Sequence, residues 1–344
     1  MRKRIFKMKK FLSLMLASLM MVTALTACGG DKPADTAPEG GAETEQADPG
    51  VAKELKFTTG GVQGTYFGFG TALAGVVNKV TDSNVTAIEG AGSQGNIEML
   101  DAGFAQLGFA QSDVMSYAYE GTHLFPAQVE GFSTVAALYQ EQVQIVTCDP
   151  TIKTVADLEG KNVSVGTAGS GVYYNAVDIL GAYGLDIEND IKPQYLGFGE
   201  SAESMKDGKI DAAFVVAGAP TVAITDLSTA KDTYLVSLDD EHVAALIETS
   251  PYYQPATIPA NVYKMDSDTT TVAVTAVVVA RDDVSSADVY NFCSAIFENL
   301  DEVSTAHAKG KELSVENAAS ITSVPYHPGA AEFFAAQGFD VPTK

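Results

Sequence analysis

Thr59-Gly60-Gly61-Val62-Gln63-Gly64-Thr65-Tyr66-Phe67 stands between a strand pattern, Leu55-Lys56-Phe57-Thr58, and an apolar helical pattern, Ala72-Leu73-Ala74, Val76-Val77 and Val80. Strand, glycine-rich turn and helix start, in that order, point several backbone N–H groups into one concavity. The helix dipole adds partial positive charge there, so an anion can be held without a basic side chain. An ordinary strand-to-helix turn reads the same way when it occurs once.

Here it occurs twice. Val163-Ser164-Val165-Gly166-Thr167-Ala168-Gly169-Ser170-Gly171-Val172-Tyr173-Tyr174 repeats the order, and each copy is followed by a second echo. Leu100-Asp101-Ala102-Gly103-Phe104-Ala105-Gln106-Leu107-Gly108-Phe109 matches Met205-Lys206-Asp207-Gly208-Lys209-Ile210-Asp211-Ala212-Ala213-Phe214. Both read as a helix end, a glycine C-cap and a buried strand. Two α/β units with one internal order predict two similar lobes facing a cleft, with a helix N-terminus on each wall.

The chain begins with Met1-Arg2-Lys3-Arg4, Lys7, Lys9 and Lys10, then an apolar run from Phe11 to Leu25 that closes in Leu25-Thr26-Ala27-Cys28. This is a secretory signal, too short for a comfortable transmembrane helix. The small residues before a cysteine resemble the bacterial lipoprotein box, which implies cleavage after residue 27 and a diacylglycerol anchor on Cys28. Residues 28–52 are rich in Gly, Ala, Pro, Asp, Glu and Thr without an apolar period and read as a flexible tether. The folded part is expected to comprise a first lobe of residues 53–143 plus 277–344 and a second lobe of residues 144–276.

Net charge is −23, and six of the 21 basic residues sit in the signal; without them, 15 face 44 acidic residues, a balance of −29. That argues against nucleic acid and against anionic headgroups as partners. Beyond Cys28 only Cys148 and Cys293 remain, able to pair but too few for a disulfide framework. The four histidines, His123, His242, His307 and His327, are scattered, so neither a metal site nor a cofactor is expected.

Val85-Thr86-Ala87-Ile88-Glu89 reads as a strand leading to Gly90-Ala91-Gly92-Ser93-Gln94-Gly95-Asn96, with Ser93 as a helix N-cap. Gln111-Ser112-Asp113 ends the next strand. Thr154 is a further N-cap candidate. In the second half Tyr195-Leu196-Gly197-Phe198 reads as a strand whose loop, Gly199-Glu200-Ser201, matches the Ser93 loop. Ala217-Gly218-Ala219-Pro220 is the counterpart of Gln111-Ser112-Asp113, its small residues leaving room for approach to the backbone. Thr271 to Ala280, TVAVTAVVVA, reads as the buried strand that crosses back to the first lobe.

This order of elements resembles a type II periplasmic binding protein. GGVQGTYFGFGTALAGVVNK, GSQGNIEMLDAGFAQLGFAQSD, LYQEQVQIV, GKNVSVGTAGSGVYYNA, FVVAGAPTVAI and VPYHPGAAEFFAAQGF, in that order, resemble the TAXI family of solute receptors from tripartite ATP-independent periplasmic (TRAP) transporters. The resemblance runs from Leu55 to Phe339. It implies an α/β fold of two doubly wound lobes joined by a two-strand hinge. It also implies a monomer on the outer face of the bacterial cytoplasmic membrane that captures a small organic anion and delivers it to TRAP permease subunits. Dicarboxylates, 2-oxoacids and glutamate-like amino acids are the implied ligand classes. Phe67-Gly68-Phe69 departs from the family, where a tyrosine and a proline are commoner, so ligand identity does not carry over.

Arg281 is the single arginine after the signal, and no arginine or lysine lies in any expected cleft loop. An anion must then be met by the N–H groups of Gly64, Thr65 and Tyr66 and of Ser170, Gly171 and Val172, each contributing about 1.5–3 kcal/mol. Hydroxyls of Thr65, Ser93 and Ser170 and amides of Gln94, Asn96 and Gln111 complete the expected shell, with Gly218 behind. Asp113 and Glu141 are the acids expected near it; one lining the cleft favours an amino acid, and both facing solvent favours a dicarboxylate. Tyr66, Tyr139, Tyr173 and Tyr252 are candidate walls. Ala91-Gly92-Ser93-Gln94-Gly95 and Ala168-Gly169-Ser170-Gly171 fall short of a nucleophile elbow, and no histidine sits in a comparable loop, so no enzyme is expected. A receptor for an ATP-driven importer or a sensor is the alternative with the same lobes.

Overall fold

In the computed structural model, which describes residues 54–344, three strands open the chain: β1 (Leu55–Thr58), β2 (Val85–Ile88) and β3 (Leu107–Gln111). They run parallel in the order β2-β1-β3, and each feeds a helix: α1 (Thr65–Val80), α2 (Ser93–Asp101) and α3 (Ser112–Glu120). After the long strand β4 (Phe132–Thr147), the pattern recurs. Strands β5 (Asn162–Ser164), β6 (Lys192–Gln194) and β7 (Ala212–Ala217) are parallel in the order β7-β5-β6. Helix α4 (Gly171–Ala182) follows β5, and α5 (Phe198–Lys206) follows β6. Strands β8 (Tyr234–Val236), β9 (Gln254–Ile258) and β10 (Thr269–Arg281) complete the sheet. The export signal, Cys28 and the tether lie outside the described residues.

Two strands join the halves. β4 and β10 pair antiparallel from Ala273 opposite Gln142 to Arg281 opposite Phe132, with register shifts between Thr275 and Val277 and between Val278 and Val279. At one end β10 also pairs with β3; at the other, β4 pairs with β7 and β8 while β10 pairs with β9. The β-branched run of β10 is buried from Val272 to Ala280 apart from Thr275, as expected of a strand covered on both faces.

The apolar cores change over on these same strands. One cluster takes Phe57, Phe109, Tyr139 and Ala276; a second takes Val143, Phe214 and Val274. Phe292 and Phe333, from helices Ser286–Phe297 and Pro328–Ala336, belong to the first. Those helices start on side-chain caps, Ser285 accepting from the Asp288 amide and His327 from the Gly329 amide.

One local expectation is corrected. Tyr195-Leu196-Gly197-Phe198 is not the strand: β6 ends at Gln194, and Phe198 begins α5. Glu200 reaches back to the Gly197 amide at 3.1 Å, so Gly197 opens a helix. The sequence leaves open whether Cys148 and Cys293 pair; both are free among the described residues. Thr154 does cap, sharing a capping box with Asp157. Among the described residues no helix is long and apolar enough to cross a membrane.

Candidate functional site

Both glycine loops open onto one cavity of about 470 Å³. Gly64 and Ser170 are the N-cap residues of α1 and α4, and neither helix receives a side-chain cap. The α1 turn (Gly64, Thr65, Tyr66) and the α4 turn (Ser170, Gly171, Val172) line the same space. Two partial positive charges thus face one volume. The Gly64 and Ser170 amides, expected to meet a ligand, do not: they donate within their own loops to the Gly61 and Thr167 carbonyls at 2.9 and 3.0 Å, which leaves the amides of Thr65, Tyr66, Gly171 and Val172 at the helix starts.

Ser93, Gln111 and Glu141 also line it. Ser93 does not cap its helix: Gly92, at φ 98°, precedes it as N-cap, and the Ser93 Oγ accepts instead from the Gln111 amide at 3.0 Å. That bond fastens the end of β3 to α2. Gln111 Nε2 donates to Asn175 Oδ1 across the cleft at 3.1 Å, while Gln111 Oε1 and Ser170 Oγ are buried without a partner among the described residues. Buried polar atoms without partners cost stability, and a ligand that meets them recovers it.

Glu141 is 2% exposed and takes the Tyr66 hydroxyl on Oε2 at 2.5 Å. Its carboxyl is pushed up to about 8: burial dominates, the Tyr66 hydrogen bond and the Lys309 charge oppose it, and the Asp113 charge adds to it. The Tyr66 ring stacks on Phe109 with centroids 4.5 Å apart, which fixes its hydroxyl on Glu141. Burial likewise holds the Tyr66 hydroxyl well above the usual phenol range.

Several expected residues lie off the cavity. Gln94 is turned outward, accepting from the Tyr174 hydroxyl at 3.0 Å and donating to Glu98. Asn96 is buried and fully used: it donates to the carbonyls of Thr59 and Phe109 at 2.6 and 2.8 Å and accepts from Thr58 Oγ1 at 2.8 Å. Asp113 sits behind Gln111 and accepts from Asn175 Nδ2 at 2.8 Å. Tyr139 packs edge-on against Phe69 with Lys309 over its ring, and Tyr173 tilts against Tyr195. Tyr252 meets Tyr117 edge-on, apart from the cavity lining. Gly218 is adjacent to the wall, its carbonyl accepting from Thr65 Oγ1 at 3.2 Å. For Gln94, Asn96 and Gly218 neighbouring protein groups have taken up the atoms expected to reach a ligand, whereas Asp113 Oδ1 and the Tyr139 hydroxyl are buried without a partner among the described residues.

Other residues were not expected. Phe198 and Gln63 bring the lobes together at the mouth: the Phe198 ring lies 3.3 Å from where a Cβ on Gly64 would stand, and Gln63 Oε1 lies 2.7 Å from one on Gly199. The match between the Gly199 and Ser93 loops is the signal that could have found Phe198. Lys309 is 6% exposed on the 3-10 turn Ala308–Glu312, with its Nζ 2.6 Å from Glu312 and its stem against Gly218. No local pattern announces it, because it arrives from a segment far along the chain. Arg281 stays away from the cavity, pairing with Asp283 and reaching the Ala105 carbonyl.

The lobes touch around the cavity. Gly95 N–H donates to the Gly169 carbonyl at 2.9 Å, Thr167 Oγ1 to the Ala91 carbonyl at 3.3 Å, and His123 Nε2 meets Asp178 Oδ1 at 2.8 Å. These contacts hold the lobes together, one at the cavity lining through Ala91 and Thr167 and the others outside it.

A model of the NMT1-like family matches residues 57–338. The chain belongs to the NMT1-like family. Among solved structures it is similar to MatC from Rhodopseudomonas palustris, determined with bound malate, at 12% identity and a TM-score of 0.51 over 75% of this chain and 88% of that one. It is also similar to the alkanesulfonate-binding protein SsuA from Xanthomonas axonopodis pv. citri bound to MOPS, at 13% identity and a TM-score of 0.48 over 83% and 91%. At such identities the likeness is one of fold, and the fold of this NMT1-like chain is the two-lobed α/β fold of periplasmic solute-binding proteins.

Proposed function

We propose that this chain is an extracytoplasmic solute receptor, not an enzyme, that traps a small organic acid or amino acid between its lobes. The observation that carries the reading is the pair of helix starts without side-chain caps, α1 at Thr65 and α4 at Gly171, opening on one cavity. A ligand carboxylate is met by the amides of Thr65, Tyr66, Gly171 and Val172 and by Ser170 Oγ, with Ser93 and Gln111 shaping its seat. Because Glu141 lines the cavity, an ammonium group has a partner, which favours an amino acid over a plain dicarboxylate. Malate in MatC supports the broader class of small organic acids. The lobes are residues 53–143 plus 277–344 and residues 144–276, consistent with the changeover of the apolar cores on β4 and β10.

The finer reading is a TAXI-type receptor, monomeric, anchored through Cys28 and serving TRAP permease subunits. The motifs from Gly60 to Phe339 support it. Ligand touching both lobes stabilises the shut form, which the permease recognises.

A thermal-shift screen of dicarboxylates, 2-oxoacids and amino acids tests the receptor reading. A ligand at 100 times its Kd stabilises by about 2.7 kcal/mol, so a binder raises the melting temperature visibly. No shift from any member of the three classes would overturn it. Uptake in vesicles carrying receptor and permease tests the transporter: it should stop when the ion gradient is collapsed and ignore ATP. Dependence on ATP would place the receptor with an ATP-driven importer.

A further inference from the structure

We infer that Glu141 selects the ligand by exchange: its carboxyl is neutral in the empty cavity, and an ammonium group that docks there sends the Glu141 proton to solvent. This rests on the receptor reading above and adds to it a proton stoichiometry and a chemical rule for what the cavity accepts.

The geometry carries the inference. Glu141 lines the cavity yet is shielded from bulk water, and one oxygen, Oε2, is committed to Tyr66. Among the described residues nothing else bonds to the carboxyl, and no basic side chain forms an ion pair with it. The nearest cation, Lys309, spends its Nζ on Glu312. A charged carboxylate would therefore stand in a half-apolar box with one hydroxyl for company, an expensive arrangement that protonation relieves.

The surroundings point the same way. Tyr66 on α1 donates to the carboxyl, and Lys309 on Ala308–Glu312 favours its charge; both effects are outweighed by burial and by the Asp113 charge from α3. Tyr139, two residues back on β4, is itself held neutral by burial. Facing residues of the second lobe, Ser170, Gly171, Val172, Val216 and Ala217, bring no charge; Glu89 and Glu200 are the remaining acids on the lining. With the carboxyl near 8, the empty site is mostly protonated at pH 7.

An ammonium ligand reverses this. It supplies the missing cation and several donors, so the carboxyl ionises and its proton leaves; the ligand keeps all three of its own ammonium protons. The site gains no net charge at that end, and the ligand carboxylate falls to the helix starts. A ligand without the amine leaves Glu141 protonated and releases nothing.

Titration calorimetry at pH 7, in buffers of low and high ionisation enthalpy, reads the exchange directly. The tightest-binding amino acid of a panel should release close to one proton per molecule, and glutarate or malate none. Affinity for the amino acid should rise by up to tenfold per pH unit and level off above about 8. Glu141→Gln should remove both the buffer dependence and the pH slope, weakening amino-acid binding at least tenfold. Tyr66→Phe should keep the proton release and move the levelling-off to higher pH, since Tyr66 favours the charged form. Amino-acid binding with no proton released, or with a proton taken up, overturns the exchange while leaving the receptor standing. Binding of neither ligand class overturns both.

Discussion

Ser170 holds a buried hydroxyl that meets no partner among the described residues. Removing it should cost the empty protein little, within about 0.5 kcal/mol, because no native bond is lost. If the hydroxyl meets a carboxylate, Ser170→Ala should weaken binding by about 1.5–3 kcal/mol, or roughly ten- to a hundredfold. Paired denaturation and titration check this, and a variant that loses stability but binds normally would refute the assignment. Gly171 gives the converse case. A methyl there would fall 1.7 Å from Gln111 Oε1 and 2.8 Å from Ser93 Oγ, so Gly171→Ala must expel the Gln111 amide from the cavity floor. The expected outcome is a loss of about 1–3 kcal/mol in stability from overpacking together with at least tenfold weaker binding, read by the same two measurements. Both glycine loops were legible in the sequence because backbone geometry between a strand and a helix is a local matter. Lys309 was not, since its place beside Tyr139 and Gly218 is set by packing between segments distant in the chain.

At the scale of elements, α2 shows how a polar side chain near a site can serve the scaffold. Asn96 ties α2 to the ends of β1 and β3 through Thr59, Phe109 and Thr58. Truncating it strands two buried carbonyls, each costing about 1–3 kcal/mol. Asn96→Ala should therefore destabilise the fold by several kcal/mol, as read by urea denaturation. A variant of native stability with impaired binding would restore Asn96 to the ligand. Sequence spacing placed Asn96 one turn into a helix beside the first loop, and nothing in it distinguishes a side chain aimed at a ligand from one aimed at a neighbouring carbonyl. The β10 run was legible for the opposite reason: β-branched residues on both faces fit only a strand buried on both sides. Tyr195 to Phe198 misled because alternating apolar residues imitate a strand, whereas the Gly197–Glu200 capping box starts a helix there.

Across the whole molecule, the seam between lobes is polar and titratable. Asn175 of α4 donates to Asp113 and to Tyr253 and accepts from Gln111, while Tyr253 donates to Asp178. Burial pushes the Asp113 carboxyl up to about 7, against the hydrogen bonds of the Val114 amide and Asn175, and Glu141 stands at about 8. Both carboxyls bind protons more tightly in the folded chain than in the unfolded one. Their stabilising contribution is full below the ordinary carboxyl range and is lost as pH rises through about 7 and 8. His307 and His327 act in the other direction, burial holding both below the usual imidazole range, so their penalty falls on the acid side of about 6.5. Between pH 7 and 9 the carboxyls alone of these groups change, and the melting temperature of the empty protein should fall across that window. Asp113→Asn and Glu141→Gln should each flatten the fall, and the double variant should remove most of it. An amino-acid ligand should flatten it too, because its ammonium group makes the ionised Glu141 welcome. A melting temperature that rises from pH 7 to 9 in the empty protein would mean that these acids are already charged within the shut cleft. The seam would then be held by ion pairing, not by neutral hydrogen bonds.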